Sequence, residues 1–316
     1  DLSRWLAKSG TFPLAVVSFG LPVSVSLPCP VIQLDLPLLG GRSQYEVWCC
    51  DHPIRFYKHG GTVAAMTGVV LFGSITAPED PNTGLAHTTE QAYGELLRLL
   101  REFGFPHLWR IWNYFPRIND EQHGLERYRL FCMGRHHALT DALPGFPGSL
   151  PAGTAVGTQR GPLQMYFLAG AQPVTHLGNP RQLNAYEYPE IYGPRSPSFA
   201  RATLCRSEGA PQLFISGTAS VVGHQSRHEG LPDLQALETV TNLRALIDRA
   251  QDLAPAIDRG TSHSVFKVYV RNQKYLETVQ HVLQGSFLLP SRLLYLQGDL
   301  CRKELLVEIE GLITTD

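Results

Sequence analysis

Near the end of this 316-residue chain the segment Leu305 to Ile309 reads as a strand, and it runs into two glutamates one residue apart, Glu308 and Glu310. Side chains alternate in extended backbone, so Val307 and Ile309 share one face and the glutamates the other. A carboxyl group held in an apolar pocket keeps its proton near neutrality and can act as an acid. Strand phase alone sends both glutamates toward water, as on a sheet covered on one side. Acid chemistry requires one of them to face a pocket, with the other nearer the strand end and solvent. Anion-binding groups stand upstream. Arg181 and Arg195 lie in Pro- and Gly-bearing segments beside Tyr186 and Tyr192, and a guanidinium fork matches a carboxylate in bidentate fashion. Surface ion pairing is the plain alternative for each arginine.

Other chemistries find less support. The six cysteines (Cys29, Cys49, Cys50, Cys132, Cys205, Cys301) contain no C-x-x-C pair. That argues against a disulfide framework or structural zinc and for a reducing cytoplasm. His224 and His228 are four apart, but Gly223 and Gly230 enclose them, so a polar loop is expected there and no metal site. A net charge of −1 leaves no basic surplus for a nucleic-acid backbone. Ala15 to Ile32 is apolar but broken by Gly20, Pro22, Pro28 and Pro30. It reads as strands and turns, neither a membrane span nor a signal segment. The chain starts at Asp1 and not at Met, which predicts that a few native residues precede it.

The elements that must position these groups divide at the Pro/Gly-dense stretch Pro144 to Pro151. Two domains are expected, 1–147 and 148–316. In the first, Gly61 to Ser74 and Leu108 to Asn113 read as strands, and Glu90 to Glu102 and Asp120 to His137 as helices. In the second, strands are expected at Gln164 to Ala171, Arg201 to Ser207, Gln212 to Ser216, Ser264 to Val270 and Leu293 to Leu296. The second and third of these join as a hairpin around Glu208-Gly209-Ala210. Helices are expected at Asp233 to Leu253 and Asn272 to Leu283, with Pro232-Asp233 opening the first. The order describes an α+β fold with helices on one face of a mixed sheet, and the first half has a weaker version of it.

Two resemblances sharpen this reading. Pro290-Ser291-Arg292 followed by Val307-Glu308-Ile309-Glu310 resembles the closing signature of the reactive-intermediate deaminase superfamily, with its trimeric, chorismate-mutase-like α+β domains. That resemblance implies that Arg292 holds a substrate carboxylate and that Glu308 does proton work. Longer segments are similar to the chorismatase family: Asn179-Pro180-Arg181-Gln182, Tyr192 to Arg201, Ile215 to His224, and upstream Trp112-Asn113-Tyr114, Ile118-Asn119 and Gly124 to Tyr128. The family resemblance implies a cofactor-free bacterial enzyme with two deaminase-like domains, which splits chorismate into pyruvate and a ring acid. The paired domains favour a monomer over a trimer. It further implies that Glu308 protonates the enolpyruvyl group and that Arg181, Arg195 and Arg292, with Arg135 as a further candidate, anchor carboxylates beside Tyr186 and Tyr192. Gly217 and Cys301 resemble the branch that forms 3-hydroxybenzoate, in which a ring hydroxyl displaces the pyruvyl group. Water addition, giving a dihydroxycyclohexadiene acid, is the alternative. Gly217 also reads as a backbone need at a strand end, and Cys301 as a packing cysteine. A small one-domain imine deaminase is disfavoured by the length, and an inactive ligand-binding module by the intact Glu308.

Overall fold

The computed structural model describes residues 2–20, 23, 27–41, 45–206, 210–258, 264–289 and 291–315. Pro22, the Glu208-Gly209 turn and Pro290 lie outside the described residues. The chain opens with α1 (Leu2–Ser9), β1 (Phe12–Phe19), β2 (Val31–Leu34), β3 (Leu38–Gly40) and β4 (Tyr45–Cys50). Next come β5 (Arg55–His59), β6 (Thr62–Met66), β7 (Val70–Ala77), α2 (Gly84–Phe103), β8 (His107–Pro116), β9 (Glu121–Gln122), β10 (Leu125–Glu126), α3 (Arg127–Ala142), β11 (Ala152–Thr158) and β12 (Leu163–Gly170). The rest is β13 (Thr175–Leu177), β14 (Ala202–Cys205), β15 (Gln212–Ala219), β16 (Val221–Val222), β17 (Gln225–Ser226), α4 (Pro232–Gln251), β18 (Val265–Val270), α5 (Leu276–Gln284), β19 (Arg292–Gln297) and β20 (Val307–Thr314).

Two mixed sheets organise the fold. One has the order β11-β8-β12-β7-β6-β5, the other β13-β14-β15-β20-β18-β19-β3. In the first sheet β11 and β8 are parallel, in the second β18 and β19, and the other ladders are antiparallel. The helices follow from their apolar stripes. Ala92, Tyr93, Leu96, Leu97 and Leu100 of α2 are buried with Leu108, Ile111 and Phe115 of β8. Gly104, in the left-handed region at φ 76°, stops α2 and returns its N–H to the Leu100 carbonyl. Pro232 occupies the first turn of α4, whose Val240, Leu243 and Ile247 pack on Val307 and Ile309 of β20.

The sheets alternate faces as sequence phase predicts, but the two inner faces cover each other around a shared core. Trp112 and Tyr114 of β8 and Tyr166 of β12 share a core with Phe214, Tyr269 and Leu296 of the second sheet. Leu14, Val17, Phe19 and Ile32 of β1 and β2 fill the same layer. The result is a helix, sheet, sheet, helix sandwich. The expectation that Glu310 lies near water is therefore corrected: the opposite sheet covers that face, and Glu310 is 1% exposed.

The expected break at 147/148 falls inside the first sheet's run of strands. β11 and β12 follow it in the chain, yet both pair with β8, and β3 from the first forty residues joins the second sheet. The helix expected from Asp120 starts only at Arg127, because the chain first forms the short β9–β10 hairpin. No helix among the described residues is long and apolar enough to cross a membrane.

Candidate active site

Glu308 stands at the start of β20, opposite Ala219 of β15 and Tyr269 of β18. It is 4% exposed and lines a pocket of about 450 Å³. Burial, with the negative charge of Glu310 two residues on as the next cause, pushes its carboxyl up to about 8. It therefore carries its proton at neutrality.

Glu310 points the same way but deeper, into a buried ionic cluster that ties the two sheets together. Its Oε2 accepts from Arg110 Nη2 at 2.5 Å and from the Thr154 hydroxyl. Its Oε1 accepts from Trp112 Nε1 at 2.9 Å and Tyr269 OH at 3.0 Å, and lies 2.7 Å from Lys267 Nζ. Lys267 also meets Glu46 Oε2 at 2.7 Å. Burial alone would raise the Glu310 carboxyl, but Lys267 and Arg110 outweigh it and hold it low. Two carboxyls on one strand face thus have opposite states, a neutral acid and a fixed anion.

The wall beneath Glu308 depends on a bulge. The β15–β20 ladder slips between Ile215 and Thr218, leaving Ser216 and Gly217 beside the acid. The Gly217 N–H donates to Thr154 Oγ1 at 3.0 Å, and Ser216 Oγ accepts from the Gly153 N–H at 2.9 Å. β11 of the first sheet thus fixes a bulge in the second. The loop before β20 is held as firmly. Arg271 donates to Asp299 Oδ1 at 2.8 Å and to the carbonyls of Leu305 at 2.7 Å and Arg302 at 2.8 Å. That sets Cys301 and Arg302 at the pocket wall.

Arginines and aromatic rings crowd the outer part. Arg201 is buried and donates from Nη2 to the Leu183 carbonyl and to Tyr188 OH, both at 2.7 Å. Its Nε has no hydrogen-bond partner. The Arg302 guanidinium sits 4.0 Å from the Tyr192 ring centroid and 5.3 Å from that of Tyr188. Tyr188 thus has a guanidinium 5.5 Å (Arg201) and 5.3 Å (Arg302) from its ring, which makes one positive patch beside an apolar wall.

This arrangement can bind an anionic, ring-shaped molecule and deliver a proton to it. A family model described as "Chorismatase FkbO/Hyg5-like, N-terminal" matches residues 46–169, ending where the strands of the first sheet are complete. A 3-hydroxybenzoate synthase of Streptomyces hygroscopicus is 37% identical over 293 residues, covering 90% of this chain and 85% of that protein. The chain belongs to the chorismatase family. A chorismatase of Streptomyces rapamycinicus is 34% identical over 298 residues, covering 92% of this chain and 88% of its own. The crystal structure of a chorismatase superposes with a TM-score of 0.84 at 32% identity, covering 96% of this chain and 93% of that one.

Within this chorismatase-family enzyme the structure gathers some of the sequence-selected residues and separates others. Glu308, Gly217, Cys301 and Tyr192 line the pocket, and Arg135 lines a small chamber that continues it. Arg181, Arg195, Arg292 and Tyr186 line neither. Arg181 is committed to α4, paired with Glu238 and donating to Asn242 Oδ1 at 2.9 Å. Arg195 is exposed and near His136, whose basicity is lowered first by burial and then by the Arg195 charge. Arg292 is exposed at the start of β19, level with Val265 and Leu312. That is four residues from Glu308, or roughly 13 Å along the strand. Tyr186 packs against the core under α2 and α3. The cations that do line the pocket include Arg201, at the end of a quoted motif, and Arg302, next to Cys301. Both were within reach of the sequence reading, but nothing in it favoured them over Arg181 or Arg292. His224 accepts or donates at Tyr192 OH, 3.1 Å away, in the β16–β17 turn.

Proposed function

We propose that this enzyme cleaves chorismate to pyruvate and 3-hydroxybenzoate without a cofactor. The single observation that carries the reading is Glu308, buried on the wall of a cation-lined pocket where burial pushes its carboxyl up to about 8. Glu308 gives its proton to the methylene carbon of the enolpyruvyl ether, and positive charge develops at the adjoining ether carbon. The neighbouring ring hydroxyl then displaces the pyruvyl group, which leaves with the ether oxygen. Opening of the resulting arene oxide and loss of a ring proton give 3-hydroxybenzoate. No water is consumed, and the released proton restores Glu308. Arg201 and Arg302 supply a fixed positive patch for one substrate carboxylate, already oriented by Tyr188 and by backbone carbonyls. Preorganised charge of this kind needs no rearrangement as the reaction proceeds.

The product assignment rests on Cys301 and Gly217, and on the relative that bears the name 3-hydroxybenzoate synthase. Burial, with Glu308 adding to it, pushes the Cys301 thiol up to about 12. It stays a neutral thiol, too weak a nucleophile for covalent catalysis. Its role is steric and as a weak donor that keeps the ring hydroxyl, and not water, next to the reacting carbon. The six cysteines are all free, which suits a reducing cytoplasm. Chromatography of the ring acid after incubation with chorismate tests the reading. The parent protein is expected to give 3-hydroxybenzoate with equimolar pyruvate, and Cys301→Ala to shift the ring product toward the dihydroxycyclohexadiene acid. A diene acid from the parent removes the product assignment. An unchanged ratio in the variant removes the role of Cys301.

A further inference from the structure

Glu308 is buried, yet its carboxyl has no hydrogen-bond partner among the described residues; burial and neighbouring charges set its acidity. Its direction is therefore left to the wall it rests on. That wall is Gly217, where an added Cβ would fall 2.8 Å from Glu308 Cδ and closer still to its Oε1. Gly217 lies in the bulge of β15, where the ladder to β20 is interrupted and gives it least support. Its N–H crosses to the other sheet and donates to Thr154 Oγ1 at 3.0 Å. Thr154, on β11, is 3% exposed and lines a chamber of about 30 Å³ beside Glu308 and Gly217. Its carbonyl accepts from Asn113 Nδ2 at 2.9 Å, so the residue is tied to β8 as well.

The Thr154 hydroxyl has one proton and two lone pairs. Arg110 Nη2, at 2.5 Å, and the Gly217 N–H can only donate, and they occupy both lone pairs. The proton goes to Glu310 Oε2. Protein groups thus use the whole capacity of the hydroxyl, and none is left for a substrate. Arg110 and Glu310 are paired with each other, and both side chains are 1% exposed. Turning the hydroxyl would break a bond to a buried charge, which is costly to leave unmade. We propose that Thr154 is a positioning residue: its hydroxyl, locked by Arg110 and Glu310, pins Gly217 and through it aims the Glu308 carboxyl at the enol carbon. The ionic cluster between the sheets then serves the reaction by stiffening the floor under the acid. The proposal rests on the reading of Glu308 as the acid that cleaves the enolpyruvyl ether.

The test compares Thr154→Val, which keeps the shape and removes the hydroxyl, with Thr154→Ser, which keeps the hydroxyl and removes the methyl. The Val variant is expected to lower kcat for pyruvate release about 10- to 100-fold, as a displacement of up to about 1 Å at a reacting group does. KM for chorismate and calorimetric binding of 3-hydroxybenzoate stay within about 3-fold, because the patch formed by Arg201 and Arg302 is untouched. Thr154→Ser restores kcat to within about 3-fold of the parent, since the three hydrogen bonds return. Placed on Gly217→Ala, the Val change costs less than about 3-fold more, because both substitutions act through one contact. Three results overturn the proposal: parent-like kcat in the Val variant, a loss of kcat and binding together that Ser does not rescue, or fully additive effects with Gly217→Ala. If the Val variant does not fold, Thr154→Cys is read against Thr154→Ser, since the thiol is the weaker donor and acceptor. A lower kcat for Cys at equal binding supports the proposal, and equal kcat overturns it. A parent that releases no pyruvate from chorismate overturns the proposed function and this proposal with it. An active parent with an unimpaired Val variant overturns the role of Thr154 alone.

Discussion

Glu308→Gln is expected to lower kcat for pyruvate release by about 10²–10⁴-fold, the usual contribution of a positioned acid. The amide keeps the shape and most of the hydrogen-bonding capacity of the neutral carboxyl, so the pocket stays intact. It has no acidic proton for the enol carbon. Binding of the ring acid should remain within a few-fold of the parent, because the positive patch around Tyr188 is untouched. Initial rates together with calorimetric titration of 3-hydroxybenzoate separate the two effects. Turnover near the parent level would remove Glu308 from the role of acid. Equal loss of binding and turnover would mean that the substitution had damaged the pocket itself.

Gly217→Ala carries the second large effect, for a reason the structure makes specific. A methyl group on Gly217 comes within 2.8 Å of Glu308 Cδ, and closer still to its Oε1, while Thr154 Cγ2 lies at 3.3 Å. The obstructing group is the end of a flexible side chain, so the fold survives and the acid moves. A displacement of about 1 Å at a reacting group can cost about 100-fold in rate. We expect kcat to fall about 10- to 100-fold, with a melting temperature close to the parent's and a ring product shifted toward the diene acid. Product chromatography and thermal melting on the same sample check this. Parent-like rate and product would show that Gly217 serves only the backbone of the bulge.

Much of this site was legible as pattern and little of it as environment. The phase of Val307-Glu308-Ile309-Glu310 correctly put both glutamates on one face, since alternation is local. What covers that face is set by another sheet, so strand phase could not tell a buried acid from an exposed one. The ionic cluster around Glu310 draws on Arg110, Thr154 and Lys267, each at least 43 residues from the others and from Glu310, and no local pattern links them. β11 is hard to read from sequence because the four Gly and Ala residues of Ala152 to Thr158 dilute the alternating Thr154, Val156 and Thr158. Those small residues have a packing cause. A side chain at Gly153 would press on Phe199, and one at Gly157 on Ile118 and Asp299. Without the tertiary pairing of β11 with β8, nothing local marks Thr154, and the Pro-rich turn before it resembles a boundary. Arg181 shows the converse error. Its motif is genuine, but Asn242 and Glu238 of α4 claim the guanidinium, a tertiary contact that the segment itself does not announce.

The most direct measurement is kcat/KM for pyruvate release from chorismate as pH is raised from below neutrality into alkali. This ratio reports the ionisation of groups in the free enzyme. A general acid works only while protonated, so activity should hold on the acidic side and fall tenfold per pH unit above the ionisation of Glu308, about 8. An ordinary solvated glutamate would have lost its proton near pH 4. A profile that falls through about 8 in the parent protein is the predicted result. Activity that is flat across that range, or that has already declined below pH 6, would contradict Glu308 as the buried proton donor.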